Sequence, residues 1–193
     1  MRAIILAAGA GTRLRPLTND RPKCLVSVGE KALVDHQIDA LRSVGVDDIV
    51  LVVGCKADQV RAYCGASVRY IENADYLSTN SIYSLHLASA ELDRPTFLFN
   101  CDILFHGAIL QSMLDAPHAN VVAADAAAER VQGEMNICYD SEHRITAISK
   151  EIQPEQAQAQ SVQLVKFDAE GARCVRREIE RLVDEDQKNA YPT

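Results

Sequence analysis

Two closely spaced glycines, Gly9 and Gly11, are followed by Thr12, Arg13, Arg15 and, beyond Pro22, Lys23. Residue types in this order suit the holding of a phosphate-bearing anion. Glycine has no Cβ, so successive backbone N–H groups can point at one anion. The guanidinium groups of Arg13 and Arg15 and the ammonium of Lys23 would add charge-assisted hydrogen bonds. Pro22 restricts the backbone beside Lys23 and so helps to aim it. A second chemistry-bearing residue, Asp102, closes the run Pro95-Thr96-Phe97-Leu98-Phe99-Asn100-Cys101. A hard carboxylate at a strand end suits Mg²⁺, which keeps several waters and takes one or two carboxylates together with substrate phosphates. The plainer reading of Asp102 is a turn-former. A third polar stretch, Thr79-Asn80-Ser81, precedes an apolar helical pattern. Either Thr79 or Asn80 can cap that helix, and a helix start offers N–H groups to a polar ligand.

The elements that must carry these residues can be read from periodicity. Ala3-Ile4-Ile5-Leu6 is a short apolar run leading straight into the glycines, as a buried strand would. Leu33, Val34, Ile38, Leu41 and Val44 recur at helical spacing, with Gly45 placed to stop the helix. Asp48 to Val53 reads as a strand covered on both faces, Ala57 to Cys64 as a short helix, and Val68 to Ile71 as a third strand. Ile82, Leu85 and Leu92 can line one face of the helix after Asn80, and Pro95 to Asp102 is a fourth strand. Residues 106 to 116 follow as helix and Asn120 to Ala124 as strand. This alternation predicts a three-layer α/β/α fold with helices on both faces of the sheet. After Asp125 the pattern changes. Glu129 to Gly133 is polar loop, and Met135 to Tyr139, Arg144 to Ile148 and Val162 to Phe167 read as shorter strands, the last two split by the Gln- and Ala-rich segment Gln153 to Gln160. Ala172, Val175, Ile179 and Leu182 mark a final helix, and the sequence ends at Tyr191-Pro192-Thr193.

Composition narrows the function classes. The chain has 193 residues, 48% of them hydrophobic, enough for one well-buried domain. Acidic side chains outnumber basic ones 27 to 20, for a net charge of −7, which argues against unspecific nucleic-acid or membrane-surface binding. No apolar run approaches a membrane span, and Ala3 to Ala8 is too short for a secretory signal. The six cysteines, Cys24, Cys55, Cys64, Cys101, Cys138 and Cys174, form no C-x-x-C pair, so zinc ligation lacks support. They fit small apolar positions in a protein of a reducing, cytoplasmic compartment. Cys24 and Cys101 adjoin candidate site residues, so their alkylation could inhibit without either being catalytic. Two familiar phosphate motifs are absent. The dinucleotide pattern G-x-G-x-x-G fails at Leu14, and no G-x-x-x-x-G-K-[ST] string occurs.

The full string Leu6-Ala7-Ala8-Gly9-Ala10-Gly11-Thr12-Arg13-Leu14-Arg15-Pro16-Leu17-Thr18, with Pro22-Lys23-Cys24-Leu25-Val26, resembles the signature of the sugar-phosphate nucleotidyltransferases. The stretch Tyr76-Leu77-Ser78-Thr79-Asn80-Ser81-Ile82-Tyr83-Ser84-Leu85 is similar to the Tyr-x-x-Thr-Asn-Asn-x-Tyr-Ser-Leu segment of the phosphocholine cytidylyltransferase-like branch, with Ser81 in place of the second asparagine. Asn100-Cys101-Asp102-Ile103-Leu104-Phe105 resembles that family's Gly-Asp-x-Leu-Phe element. The resemblance implies a Rossmann-like nucleotidyltransferase fold with a mixed, mostly parallel sheet. It implies that Gly9, Gly11, Thr12 and Arg13 hold a triphosphate, that Leu6, Ala7 and Ala8 lie against the base, and that Thr79, Asn80 and Ser81 sit near the nucleotide. Lys23 and Arg13 would be catalytic and Asp102 the Mg²⁺ ligand. The implied activity moves an NMP group, CMP from CTP by preference, onto a phosphorylated or phosphonate acceptor, with release of pyrophosphate.

Residues 1–125 would form the nucleotide-binding part of a single domain, and residues 126–193 the acceptor part. Ser149-Lys150-Glu151-Ile152 resembles the branch, and Lys150 reads equally as a contact to acceptor phosphate and as a solvated lysine. In that branch a lysine follows the methionine equivalent to Met135, so Asn136 removes a cation from the acceptor side. The chain also reads as short at its C-terminus, lacking a Glu-Ile-Asp segment whose carboxylate completes metal binding. With no tryptophan and 5% aromatics, an aromatic cage for choline is weakly supplied. A primary-amine phosphonate such as 2-aminoethylphosphonate, or a sugar 1-phosphate served by a uridylyl- or guanylyltransferase, stays open. So does a non-catalytic nucleotide-binding relative.

Overall fold

The computed structural model describes residues 1–186, so Tyr191-Pro192-Thr193 lies outside the described residues. The strands are β1 (Arg2–Ala7), β2 (Ser27–Val28), β3 (Lys31–Ala32), β4 (Asp48–Val53), β5 (Arg69–Glu72), β6 (Thr96–Asn100), β7 (Val121–Asp125), β8 (Asn136–Tyr139), β9 (Ile145–Ser149) and β10 (Ala159–Phe167). The helices are α1 (Leu33–Ser43), α2 (Ala57–Cys64), α3 (Ser81–Leu87), α4 (Gly107–Asp115) and α5 (Ala169–Asp186). Apart from the small β2–β3 hairpin, the strands form one mixed sheet in the order β5-β4-β1-β6-β10-β8-β9, with β7 also paired to β10. The first four run parallel. β10 is antiparallel to β6, β7 and β8.

Two apolar clusters, one on each face, make the layers. Ala3, Ile5, Leu51, Val53, Phe97, Phe99 and Leu164 pack with Val34, Leu41, Val60 and Leu110 from α1, α2 and α4. Ile4, Val50 and Val52 pack with Leu85, Leu92, Ala172 and Ile179 on the other face, beside α3 and α5. Because side chains alternate along a strand, β1 and β4 must be apolar at every position to serve both clusters. Their sequences, RAIILA and DIVLVV, are so almost throughout.

Two local expectations are corrected. The helix after Asn80 stops at Leu87, and Leu92 reaches the same cluster by way of a 3-10 turn over Ser89–Glu91. The Gln- and Ala-rich segment does not run to Gln160, because β10 already begins at Ala159, whose pairing with Ile137 draws it into the sheet. Asn136, which stands where the resembling branch has a lysine, is fully buried, and its Nδ2 donates to the carbonyls of Val131 (3.1 Å) and Ile152 (2.9 Å), tying two loops to β8.

The parallel strands deliver their C-terminal ends to one edge. Leu6 lies opposite Val52 on one side and Asn100 on the other. The glycine loop, Gly54, Asn73 and Asp102 therefore leave the sheet side by side, where ligands of such sheets gather. Among the described residues no helix is long and apolar enough to cross a membrane.

Candidate functional site

The glycine loop is a chain of tight turns. Gly11 has φ +64° and begins a 3-10 turn over Thr12–Leu14. A Cβ there would stand 3.2 Å from Thr18 Cγ2 and 3.3 Å from Lys23 Cβ, so both conformation and space demand glycine. Thr18, nearly buried, donates from its Oγ1 to the Gly11 carbonyl at 2.8 Å and closes the loop. A second 3-10 turn, Lys23–Leu25, starts after Pro22 at φ −70° and directs Lys23 back toward the loop. Gly9 differs from Gly11: it is exposed, and a Cβ on it would meet nothing within 4 Å.

The far side of the loop is tethered by residues that the sequence reading missed. Lys56 Nζ donates to the Asn19 carbonyl at 2.6 Å, and Gln59 Nε2 to the Asp20 carbonyl at 3.1 Å, both from the start of α2. Gly54 allows three segments to meet, since a Cβ there would be 2.8 Å from the Ala8 carbonyl and 2.9 Å from Tyr76 Cβ. No periodic signal marks either feature. Lys56 and Gly54 matter through contacts with distant loops.

Lys23 and Asp102 come together. They are 79 residues apart, yet Lys23 Nζ forms an ion pair with Asp102 Oδ2, and both side chains are only partly exposed. Asp102 is presented by the turn leaving β6, and the backbone N–H of Cys101 donates to the Leu6 carbonyl at 3.0 Å, joining that turn to the root of the glycine loop. Gln37, from α1, donates to the carbonyls of Asn100 and Ile103 on either side of Asp102. From β10, Gln163 accepts a hydrogen bond from Asn100 Nδ2 at 2.5 Å, and it adopts φ +59° at a register shift in the strand. Burial pushes the Cys101 thiol up to about 12, with the nearby Asp102 charge adding to the effect. Cys24 is raised further, again by burial first. Both thiols therefore stay protonated at neutral pH, which makes them poor nucleophiles.

The remaining expected residues fall into four groups. Arg13, Thr12 and Arg15 are exposed, and the guanidinium groups of Arg13 and Arg15 make no hydrogen bond or ion pair among the described residues. Ala7 and Ala8 are 3% and 5% exposed, and Leu6 is half-buried against the α3 and α5 face. What Ala7 and Ala8 offer a ligand is therefore mainly backbone. Asn80 caps α3, its Oδ1 accepting from the N–H of Ile82 (3.0 Å) and Tyr83 (3.1 Å). That cap engages two of the N–H groups a polar ligand could have used, and Ser81 stands exposed at the first helical position. Thr79 Oγ1 accepts from the buried Asn73 and donates to the Asp75 carbonyl, bracing the loop from within. Lys150 is exposed on the turn after β9, beyond the β8–β9 hairpin.

Among the described residues no group of three or more His, Cys, Asp or Glu could hold a metal ion. The arrangement instead suits a cation that takes one protein carboxylate and completes its shell with water and phosphate oxygens, the habit of Mg²⁺. Only Oδ2 of Asp102 is engaged by Lys23, so Oδ1 is available among the described residues.

Known proteins resemble the chain in sequence and in fold. The chain is 39% identical over 129 residues to the CMP-5'-(3-aminopropyl)phosphonate synthase of Streptomyces rubellomurinus, covering 64% of this chain and 20% of that protein. It is 36% identical over 132 residues to the choline-phosphate cytidylyltransferase of Streptococcus pneumoniae, covering 67% of this chain and 57% of the relative. It thus spans from a fifth to somewhat over half the length of these two relatives. The solved structure of the CTP:phosphocholine cytidylyltransferase from Streptococcus pneumoniae superposes with a TM-score of 0.78 at 28% identity, over 95% of this chain and 77% of that one. The model of the MobA-like NTP transferase domain matches residues 3–188, and the chain belongs to that family.

Proposed function

We propose that this chain transfers CMP from CTP to a phosphorylated or phosphonate acceptor and releases pyrophosphate. The observation that carries the reading is the meeting of Lys23 and Asp102 at the root of the glycine loop. An ammonium that can face a triphosphate and a carboxylate that can hold its metal then share one edge of the sheet. The names of the two relatives, which specify CMP transfer to an aminoalkylphosphonate and cytidylyl transfer to choline phosphate, support the choice of nucleotide and acceptor.

In the proposed reaction an anionic oxygen of the acceptor attacks the α-phosphorus of CTP. A new P–O bond forms there as the bond to the bridging oxygen of pyrophosphate breaks in line. The nucleophile is already charged, so positioning and charge neutralisation carry most of the acceleration. Gly9, Gly11 and Thr12 supply backbone donors to the phosphates, and Arg13 and Lys23 offset charge on the α-phosphoryl group and on the departing pyrophosphate. Mg²⁺, held by Asp102 and phosphate oxygens, would neutralise the triphosphate when bound. Residues 1–125 serve the nucleotide and the segment from 126 onward, with Lys150 on its exposed turn, the acceptor.

A pyrophosphate-release screen of CTP, UTP, GTP and ATP against phosphocholine, 2-aminoethylphosphonate and sugar 1-phosphates tests this. Turnover with CTP and a phosphonate or phosphocholine is expected. Turnover confined to UTP or GTP with sugar 1-phosphates would replace the reading, and nucleotide binding without any pyrophosphate would point to a non-catalytic relative. Lys23→Ala should lower kcat by about 10²–10³, the usual loss for one electrostatic stabiliser. Parental turnover in that variant removes Lys23 from the mechanism.

A further inference from the structure

Gln37 stands where the α1 pattern asks for an apolar side chain. It is 1% exposed, and its neighbours on the buried face are Val34, Ile38 and Leu41. A polar residue at a core position breaks the local rule, and such breaks concentrate where function needs them. Both protons of its Nε2 are used, one on the Asn100 carbonyl at 3.1 Å and one on the Ile103 carbonyl at 2.7 Å. These carbonyls flank Cys101-Asp102, the two residues of the turn that presents the carboxylate. The Oε1 of the same amide is buried and has no partner among the described residues. Reversing the amide would set an oxygen against two carbonyl oxygens, so its orientation is dictated by the turn it holds. The fold thus tolerates one empty acceptor in its core to keep two donors on the backbone around Asp102.

We propose that Gln37 is a positioning residue that fixes the Asp102 carboxylate for the metal–triphosphate, acting through the backbone on either side of it. The proposal rests on the reading of Asp102 as the metal ligand. Outer-shell partners of metal ligands commonly govern affinity in this way, and losing one lowers metal affinity by about 10–100-fold. The neighbouring clamp, Asn100 Nδ2 on Gln163, grips the same strand end through a side chain. Gln37 grips its backbone.

The test measures Mn²⁺ affinity by electron paramagnetic resonance with CTP present and no acceptor, so that no turnover is needed. The proteins are the parent, Gln37→Met, Asp102→Asn and the double variant. Methionine keeps the volume and removes the donors. Gln37→Met should weaken Mn²⁺ binding about tenfold, leave metal-free CTP affinity within about twofold, and add nothing further in the Asp102→Asn background, as expected of residues acting through one group. Parental Mn²⁺ affinity in Gln37→Met, or a loss that adds in full to that of Asp102→Asn, overturns the proposal. If Gln37→Met fails to fold by circular dichroism, Gln37→Glu replaces it. Its protonated carboxyl keeps one donor, so an affinity between parent and Asp102→Asn is expected, and a parental value again overturns the idea. A chain that releases no pyrophosphate in the nucleotide screen yet shows this Mn²⁺ pattern would sink the transferase reading and spare Gln37. Unchanged Mn²⁺ affinity in Asp102→Asn would sink the ligand assignment and the proposal together.

Discussion

Gly9 and Gly11 look alike in the sequence and are unlike in the fold, which makes them a useful pair. Gly11 is required by the protein itself, through its left-handed φ and the crowding of Thr18 and Lys23. Gly11→Ala should therefore cost about 1–2 kcal/mol in strain and lower Tm by roughly 3–6 °C in a chain of this size. Nothing in the protein opposes a methyl at Gly9. If the loop backbone closes on phosphates, Gly9→Ala should keep the parental Tm within about 1 °C while weakening nucleotide binding at least tenfold, since the methyl would stand where the anion approaches. Calorimetric unfolding and a nucleotide titration on the two variants separate these effects. Parental nucleotide affinity in Gly9→Ala would mean that the triphosphate does not pass over that residue.

At the scale of elements, periodic signals were legible and long-range ones were not. The α2 helix occupies the range its apolar spacing indicates, and α1 ends close to where Gly45 marks a stop, because local patterning decides both. The run into Gly9 and the strand before Asp102 were equally plain. The roles of Gln37, Lys56, Gly54 and Gln163 were invisible, since each depends on a partner tens of residues away that only the folded sheet brings near. Asn80 lies between these cases: its capping role was readable, but not that its one oxygen would take the N–H groups of both Ile82 and Tyr83. Asn80→Ala should cost about 1 kcal/mol for the lost cap and lower Tm by about 3 °C. Asn80→Asp restores an acceptor oxygen and should recover most of that stability. If Asn80 also contacted nucleotide through its amide, the aspartate variant would bind CTP more weakly despite normal stability, so comparing Tm with CTP affinity in the two variants separates cap from contact.

The whole molecule divides its charges between the two edges of the sheet. At the edge carrying the candidate site, Arg13 and Arg15 stand exposed and Lys23 shares its charge with Asp102. At the opposite edge, where β1, β4, β5 and β6 begin, basic and acidic groups satisfy one another. Arg2, only 6% exposed, donates to Asp48 (2.9 Å) and Asp93 (2.9 Å) and pairs with Glu91 (2.7 Å), while Arg69 bridges Asp48 and Glu91. The network ties four strand starts together and leaves the other edge free to serve a ligand. Hydrogen bonds from Arg69 hold the Glu91 carboxyl below its usual range, and those from Arg94 do so for Asp93. For Asp48, burial raises the carboxyl, but the bonds from Arg69 and Arg2 outweigh it and the net shift is downward. Carboxylates lowered by folding contribute stability that is complete above their unfolded values, about 3.9–4.3. It is lost as pH falls through the lower folded values. Tm should therefore be flat from about pH 7 to 5 and fall below about pH 4. Arg2→Met removes charge-assisted bonds and should cost about 2 kcal/mol at neutral pH, seen as a Tm lower by roughly 4–8 °C. Because acid protonates these carboxylates first in the unfolded chain, the contribution of their bonds to Arg2 declines, and the Tm gap between parent and Arg2→Met should shrink toward pH 3. A gap that stays constant from pH 7 to 3 would show that Arg2 stabilises the sheet by packing its aliphatic stem and not by its charge.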